Sequence, residues 1–296
     1  MTFQGRNSIY KQLTLNRKSL LRHLPASLQK AMVTAWNQHY EELYESESDG
    51  TVLLEDALGK ILNSFQSSNQ TFMQLRYVWM ALTLAVVVEP TIKYYQPDNP
   101  IPEETINKLT NWLLKTIAGL FYPQEKLNRE FDNVLNDTSV DINHLSSDKK
   151  ISSFQVLSEA LDVYISAVNA LEPSHSIQAL LDILDDCLEG YAIFPGSYGR
   201  RELFNWWLLD IVPSCWYLLP PTSVYSLNEL ADDDSHQTLS QLEETSCLMW
   251  SLIEAAIQNQ NRIEEDLLSF RNNTLITVKE ENDSQLEHNQ LTLSNI

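Results

Sequence analysis

FMQLRYVWMALTLAVVV, residues 72–88, decides the fold class. Arg76 is its single charge, and apolar side chains fall on every side of a helix drawn through it. Such a helix has no polar face to turn to water, so it belongs in the middle of a core. The uncharged run within it, Tyr77 to Val88, lies between Arg76 and Glu89. It is too short to cross a bilayer, and no transmembrane segment is expected. Pro90 has no N–H to donate and is expected to end the helix.

Working outward, both flanks carry the 3.6-residue period of amphipathic helices. Upstream, Val52 to Phe65 turns Leu54, Leu58, Ile61, Leu62 and Phe65 inward, and Gln66 to Thr71 is a polar loop. Pro25 to Glu45 opens on a proline and shows one stripe of Leu28, Met32, Ala35 with Trp36, His39 and Leu43. His39 is therefore expected half-buried beside that stripe. Thr14 to Leu24 reads as a further helix, and residues 1–12 as weakly structured.

Downstream, Pro102-Glu103-Glu104 opens a helix buried on Ile106, Leu109, Leu113, Ile117 and Leu120 and closed by Pro123. A shorter one follows on Leu127, Phe131 and Leu135. Ser153 to Leu171 and Ser176 to Glu189 are joined by a short turn, which implies antiparallel neighbours. Ser235 to Asn272 carries a long pattern after the acidic run Asp232-Asp233-Asp234. The expectation is an all-α, compact array of about nine or ten helices. No period of 30 to 45 residues repeats, which disfavours an α-solenoid. The polar stretch 136–152 marks a boundary: 1–135 is an N-terminal helical unit, 153–272 a C-terminal unit packed on it as one domain overall, and 273–296 a frayed or disordered tail.

The formal net charge is −20, with 40 acidic and 20 basic residues, so nucleic acid or an anionic membrane is an unfavourable partner for the surface as a whole. Residues 1–40 hold six Lys or Arg and no acid. That arm either docks on the protein's own acidic body or contacts lipid or nucleic acid through Arg17, Lys18 and Arg22. It has the composition of a transit peptide but no visible cleavage point and no signal-peptide core. Cys187, Cys215 and Cys247 are odd in number and form no CxxC, so buried free thiols and a cytoplasmic location are expected.

Gly190 to Pro221, GYAIFPGSYGRRELFNWWLLDIVPSCWYLLPP, gathers turn residues, tryptophans and Arg200-Arg201, the only Lys or Arg between Ile151 and Asn261 among sixteen acids. Pro213 should kink or stop the helix that begins near Arg201. Asp210 sits among Trp206, Trp207, Leu208, Leu209 and Ile211. An ionised Asp there is costly unless paired, so Arg200, Arg201, another basic group or several backbone donors should satisfy it. Trp206, Trp207 and Trp216 are core anchors or, if exposed, a partner-binding patch. Tyr198, Arg200, Arg201, Trp206, Trp207, Asp210 and Trp216 are the candidate binding residues.

Pro195-Gly196-Ser197-Tyr198-Gly199 could cradle an anion, but it lacks the lysine and third glycine of nucleotide-binding loops. The acid-x-x-His pairs Asp141/His144, Glu172/His175 and Asp233/His236 fall in turns or helix starts, so no metal is expected. Asp185-Asp186-Cys187-Leu188-Glu189 has the DDxxE form that holds Mg²⁺ against a diphosphate in helical prenyl or terpene enzymes. Asn273, Thr277 and Glu281 loosely resemble the partner motif, although Thr274 replaces its usual acid. No catalytic triad or cofactor motif is present. The leading expectation is a non-enzymatic acidic helical adaptor for another protein, a basic one, as in immunity or inhibitor proteins. A Mg²⁺-diphosphate enzyme and a scaffold with a basic arm are the alternatives.

Overall fold

In the computed structural model, residues 9–15, 21–44, 52–65, 70–121, 155–190, 192–193, 199–224 and 232–258 are described. Among them the chain is all helix and turn, with no strand. A short α1 (Ile9–Leu15) leads to α2 (Ala26–Asn37), α3 (Leu54–Asn63), α4 (Gln70–Tyr95) and α5 (Ile101–Phe121). Then come α6 (Gln155–Asn169), α7 (Ser176–Glu189), α8 and α9 (Asp232–Gln258). α8 is one continuous run made of an α-helical start, Arg200–Trp206, a π-helical turn, Trp207–Ile211, and an α-helical end, Val212–Trp216. Apart from the seven-residue α1 this makes eight helices among the described residues, slightly fewer than the nine or ten expected. The stretches 124–135, 136–152 and 273–296 lie outside the described residues.

α4 occupies the centre, packed by α5, α6, α7, α8 and α9. By length and composition it could cross a membrane, yet 89% of its most apolar window is buried inside the protein, as in a core helix. Several of its buried polar side chains reach backbone carbonyls elsewhere in the chain. Tyr77 donates to Leu62 O at 2.9 Å, Trp79 Nε1 to Leu219 O at 2.8 Å, and Gln74 Nε2 to Ala170 O at 2.7 Å. Buried polar groups without such partners would each cost about 1–3 kcal/mol. The same bonds tie α4 to three separate parts of the chain, so they set register as well as satisfying chemistry.

Neither internal proline ends its helix, contrary to the expectation for Pro90. α4 runs through Pro90 to Tyr95, because Thr91 and Ile92 beyond it are buried and the Thr91 hydroxyl donates to Ile193 O. In α8, the chain passes Pro213 without stopping. The π turn immediately before it, closed by Val212 N–H to Trp207 O, widens the helix where the proline ring would meet the preceding turn. Upstream, the expected helix from Pro25 to Glu45 is two pieces: α2 ends at Asn37, and a 3₁₀ turn covers Glu41–Leu43. His39 falls in the break between them and is exposed, stacked on Tyr44 at 4.9 Å rather than half-buried. α1 likewise begins within the segment expected to be weakly structured, and α9 starts at Asp232 rather than after the acidic run.

Candidate functional site

α7 ends at Gly190 in the left-handed region (φ 86°), the usual glycine position just past a helix, and α8 starts after Gly199 at φ 115°. That places the arginine pair at the head of α8, facing the N-terminal helices. Arg200 Nη1 donates to Glu42 O at 3.1 Å, and Nη2 lies 3.5 Å from Glu189 Oε1. Arg201 Nη2 donates to Trp36 O at 3.1 Å, with its guanidinium 5.5 Å from the ring centres of Trp36 and of Phe204. The two scarce cations thus clamp the end of α2 and the following 3₁₀ turn onto α7 and α8. Tyr198 lies outside the described residues.

Neither arginine reaches Asp210. Its carboxylate accepts instead from Thr222 N at 2.9 Å, Ser223 N at 3.1 Å and the Thr222 hydroxyl at 2.7 Å. Trp206, one helical turn earlier, donates Nε1 to Ser223 O at 3.0 Å. Together they latch residues 222–223 to α8, so backbone donors meet the need that the sequence had divided between donors and cations. Trp207 is wholly buried and is a core anchor, not part of a surface. Trp206 and Trp216 are half-buried, and Leu209, 45% exposed, is the apolar side chain this segment turns outward.

Arg76 was missed as a partner for this segment. It is only 3% exposed, its guanidinium lies 3.5 Å from the centre of the Trp216 ring, and Nε donates to Trp216 O at 3.0 Å. Burial pulls its pKa down, to about 9, which leaves it charged at neutral pH; Tyr217 and Tyr77 act in the opposite sense. Its lone position in an otherwise uncharged apolar stretch was the available signal. A cation there has to be held by something, and an aromatic face with a carbonyl holds it.

A groove of about 350 Å³ opens between α3 and α7, closed at one end by the 3₁₀ turn and Arg200. Its floor is leucine: Leu43, Leu54, Leu58 and Leu188 are buried, Leu181 is half-buried and Leu53 is 51% exposed. Its walls carry Glu42 and Glu55 on one side and Asp182, Asp185 and Glu189 on the other, against the single cation Arg200. Glu42 is also structural, since Oε2 accepts from Leu54 N at 2.9 Å and so caps α3. The DDxxE carboxylates divide between two surroundings. Asp185 and Glu189 line the groove, whereas Asp186 interacts with Asp162 and Glu159 of α6.

Compared with known proteins, the chain matches no protein-family model, no curated protein and no solved structure.

A flank of α7 next to the groove meets α6 with like charges. Asp186 is raised from 3.8 to about 7, first by burial and then by Asp162, Asp185, Glu159 and Asp182. Burial also raises Glu159 and Asp162. No three metal-ligating side chains converge among the described residues. Glu172 and His175 are both exposed in the turn between α6 and α7, whereas Asp141 and His144 lie outside the described residues, and so do the side chains of Asp233 and His236. Cys187 and Cys215 are buried thiols pushed well above the ordinary range by burial, but Cys247 is exposed, contrary to expectation.

Proposed function

We propose that the chain is a non-enzymatic, acidic helical protein that binds a basic protein partner, in the manner of an inhibitor or immunity protein. The observation that carries this reading is the groove between α3 and α7, a leucine floor with five carboxylates on its walls and Arg200 alone opposing them. Arg200 is itself engaged by Glu42 O and Glu189, so it belongs to the wall. A cationic partner gains from every carboxylate it meets there. The net charge of −20 extends that attraction to longer range and would speed encounter at low salt. The candidate residues Arg200 and Arg201 act in this reading by holding the groove's framework together rather than by touching the partner.

Affinity capture on the immobilised chain, eluted with a salt gradient, tests the reading. Retained proteins should be basic, and the charge-reversed Asp182→Lys/Asp185→Lys chain should lose them. Retention that is unchanged by the reversal would refute it. Stabilisation by Mg²⁺ with diphosphate, abolished in Asp185→Ala, would move the chain to the enzyme class instead.

A further inference from the structure

We propose that the α3–α7 groove receives a short amphipathic helix, with leucine-like side chains facing inward and lysine or arginine on both flanks. This inference rests on the reading of the chain as a binder of basic partners and specifies what part of the partner enters. Gln178, Leu181, Asp182, Asp185, Leu188 and Glu189 line the groove at spacings of three and four, so one face of α7 forms the wall along its length. At 1.5 Å per residue that wall runs about 16 Å, the length of roughly three turns of an occupying helix.

Charge and shape narrow the occupant further. Carboxylates stand on both walls, so an anionic or neutral segment would leave them facing like charge or low dielectric. A cationic segment without an apolar face would neutralise the rim yet leave Leu53 and Leu181 uncovered. An added strand has no edge to pair with, because α7 and the start of α3, which line the groove, bond their main-chain groups within the helices. A helix with one apolar stripe between two rows of cations meets every requirement. Leu53 and Leu181 are the side chains it would cover, and Asp182, Asp185 and Glu55 are those it would neutralise.

The test uses the full chain and two fluorescent fourteen-residue Leu/Lys peptides of identical composition, one ordered as an amphipathic helix and one scrambled. Kd is measured by anisotropy at low salt. The amphipathic peptide should bind at least tenfold more tightly than the scrambled one. Leu53→Gln/Leu181→Gln should cost it about tenfold while leaving the scrambled peptide unaffected, and Asp182→Lys/Asp185→Lys should weaken both. Leu53, Asp182 and Asp185 are exposed, so Leu53→Gln and the double Lys variant should keep the parent's circular dichroism and Tm, and because Leu181 packs on the core, Leu53→Gln alone repeats the apolar test. Equal binding of both peptides, indifferent to the leucine changes, would overturn the helix-in-groove proposal while leaving the basic-partner reading intact. No binding of either peptide at low salt would remove both.

Discussion

Replacing Asp186 by Asn should stabilise the protein at pH 8 and flatten its dependence on pH. Asp186 on α7 is partly buried beside Glu159 and Asp162 of α6, with Asp182 and Asp185 on its own helix, and Arg200 is paired with Glu189 at the end of α7. Its pKa stands at about 7 instead of 3.8, so the folded protein holds this proton more tightly than the unfolded chain does. Stability is therefore highest when the carboxyl is protonated in both states, falls as pH rises from about 4, and reaches its full penalty above about 7. At 1.36 kcal/mol per pH unit the ceiling is about 4 kcal/mol. Asp186 is only half-buried, and screening by solvent brings the expected figure to about 1–2 kcal/mol. The assay is urea denaturation of parent and Asp186→Asn chains from pH 5 to pH 8. The variant should exceed the parent by about 1–2 kcal/mol at pH 8, and the two should converge toward pH 5. A parallel pH profile, or a variant less stable at pH 8, would refute the account of Asp186 as a carboxylate disfavoured by burial and by its acidic neighbours.

Asp210→Ala removes the acceptor for Thr222 N, Ser223 N and the Thr222 hydroxyl, and should cost about 1–3 kcal/mol in chemical denaturation; Asp210→Asn keeps one acceptor oxygen and should lose less. Equal stability of all three chains would remove the latch. Arg76→Lys keeps a charge but loses the flat guanidinium over Trp216 and the Nε bond to its carbonyl, an expected loss of about 1–3 kcal/mol together with a change in tryptophan emission. Unchanged emission and stability would show that the stack contributes little.

Much of the helical architecture can be read from local pattern. Phe72 to Val88 had to be central because no polar face was left to meet water, and all of its residues but Met73 are buried. α7 falls on Ser176–Glu189 as expected, because a turn with Pro173 starts it and Gly190 stops it. Pro90 was misjudged because the rule that a proline ends a helix weighs one lost bond and one local clash. Pro90 is carried by burial of Thr91 and Ile92, and Pro213 by a π turn, and both compensations come from packing. His39 was misplaced in the same way, because the stripe continued in sequence after the helix itself had ended at Asn37.

The candidate site divides along similar lines. Local sequence pattern determines the all-α class, the basic first segment, the strongly acidic remainder and two isolated arginines beside a tryptophan-rich helix. Which charge meets which is another matter, since it depends on contacts more than a hundred residues apart: Arg200 with Glu42, Arg201 with Trp36, Arg76 with Trp216. Periodicity assigns a residue to a face of its own helix and is silent on the helix opposite. Only the tertiary structure could decide that the arginines brace a groove, that Asp210 is met by backbone amides, and that Asp185 and Asp186, adjacent in sequence, point one into that groove and the other against α6.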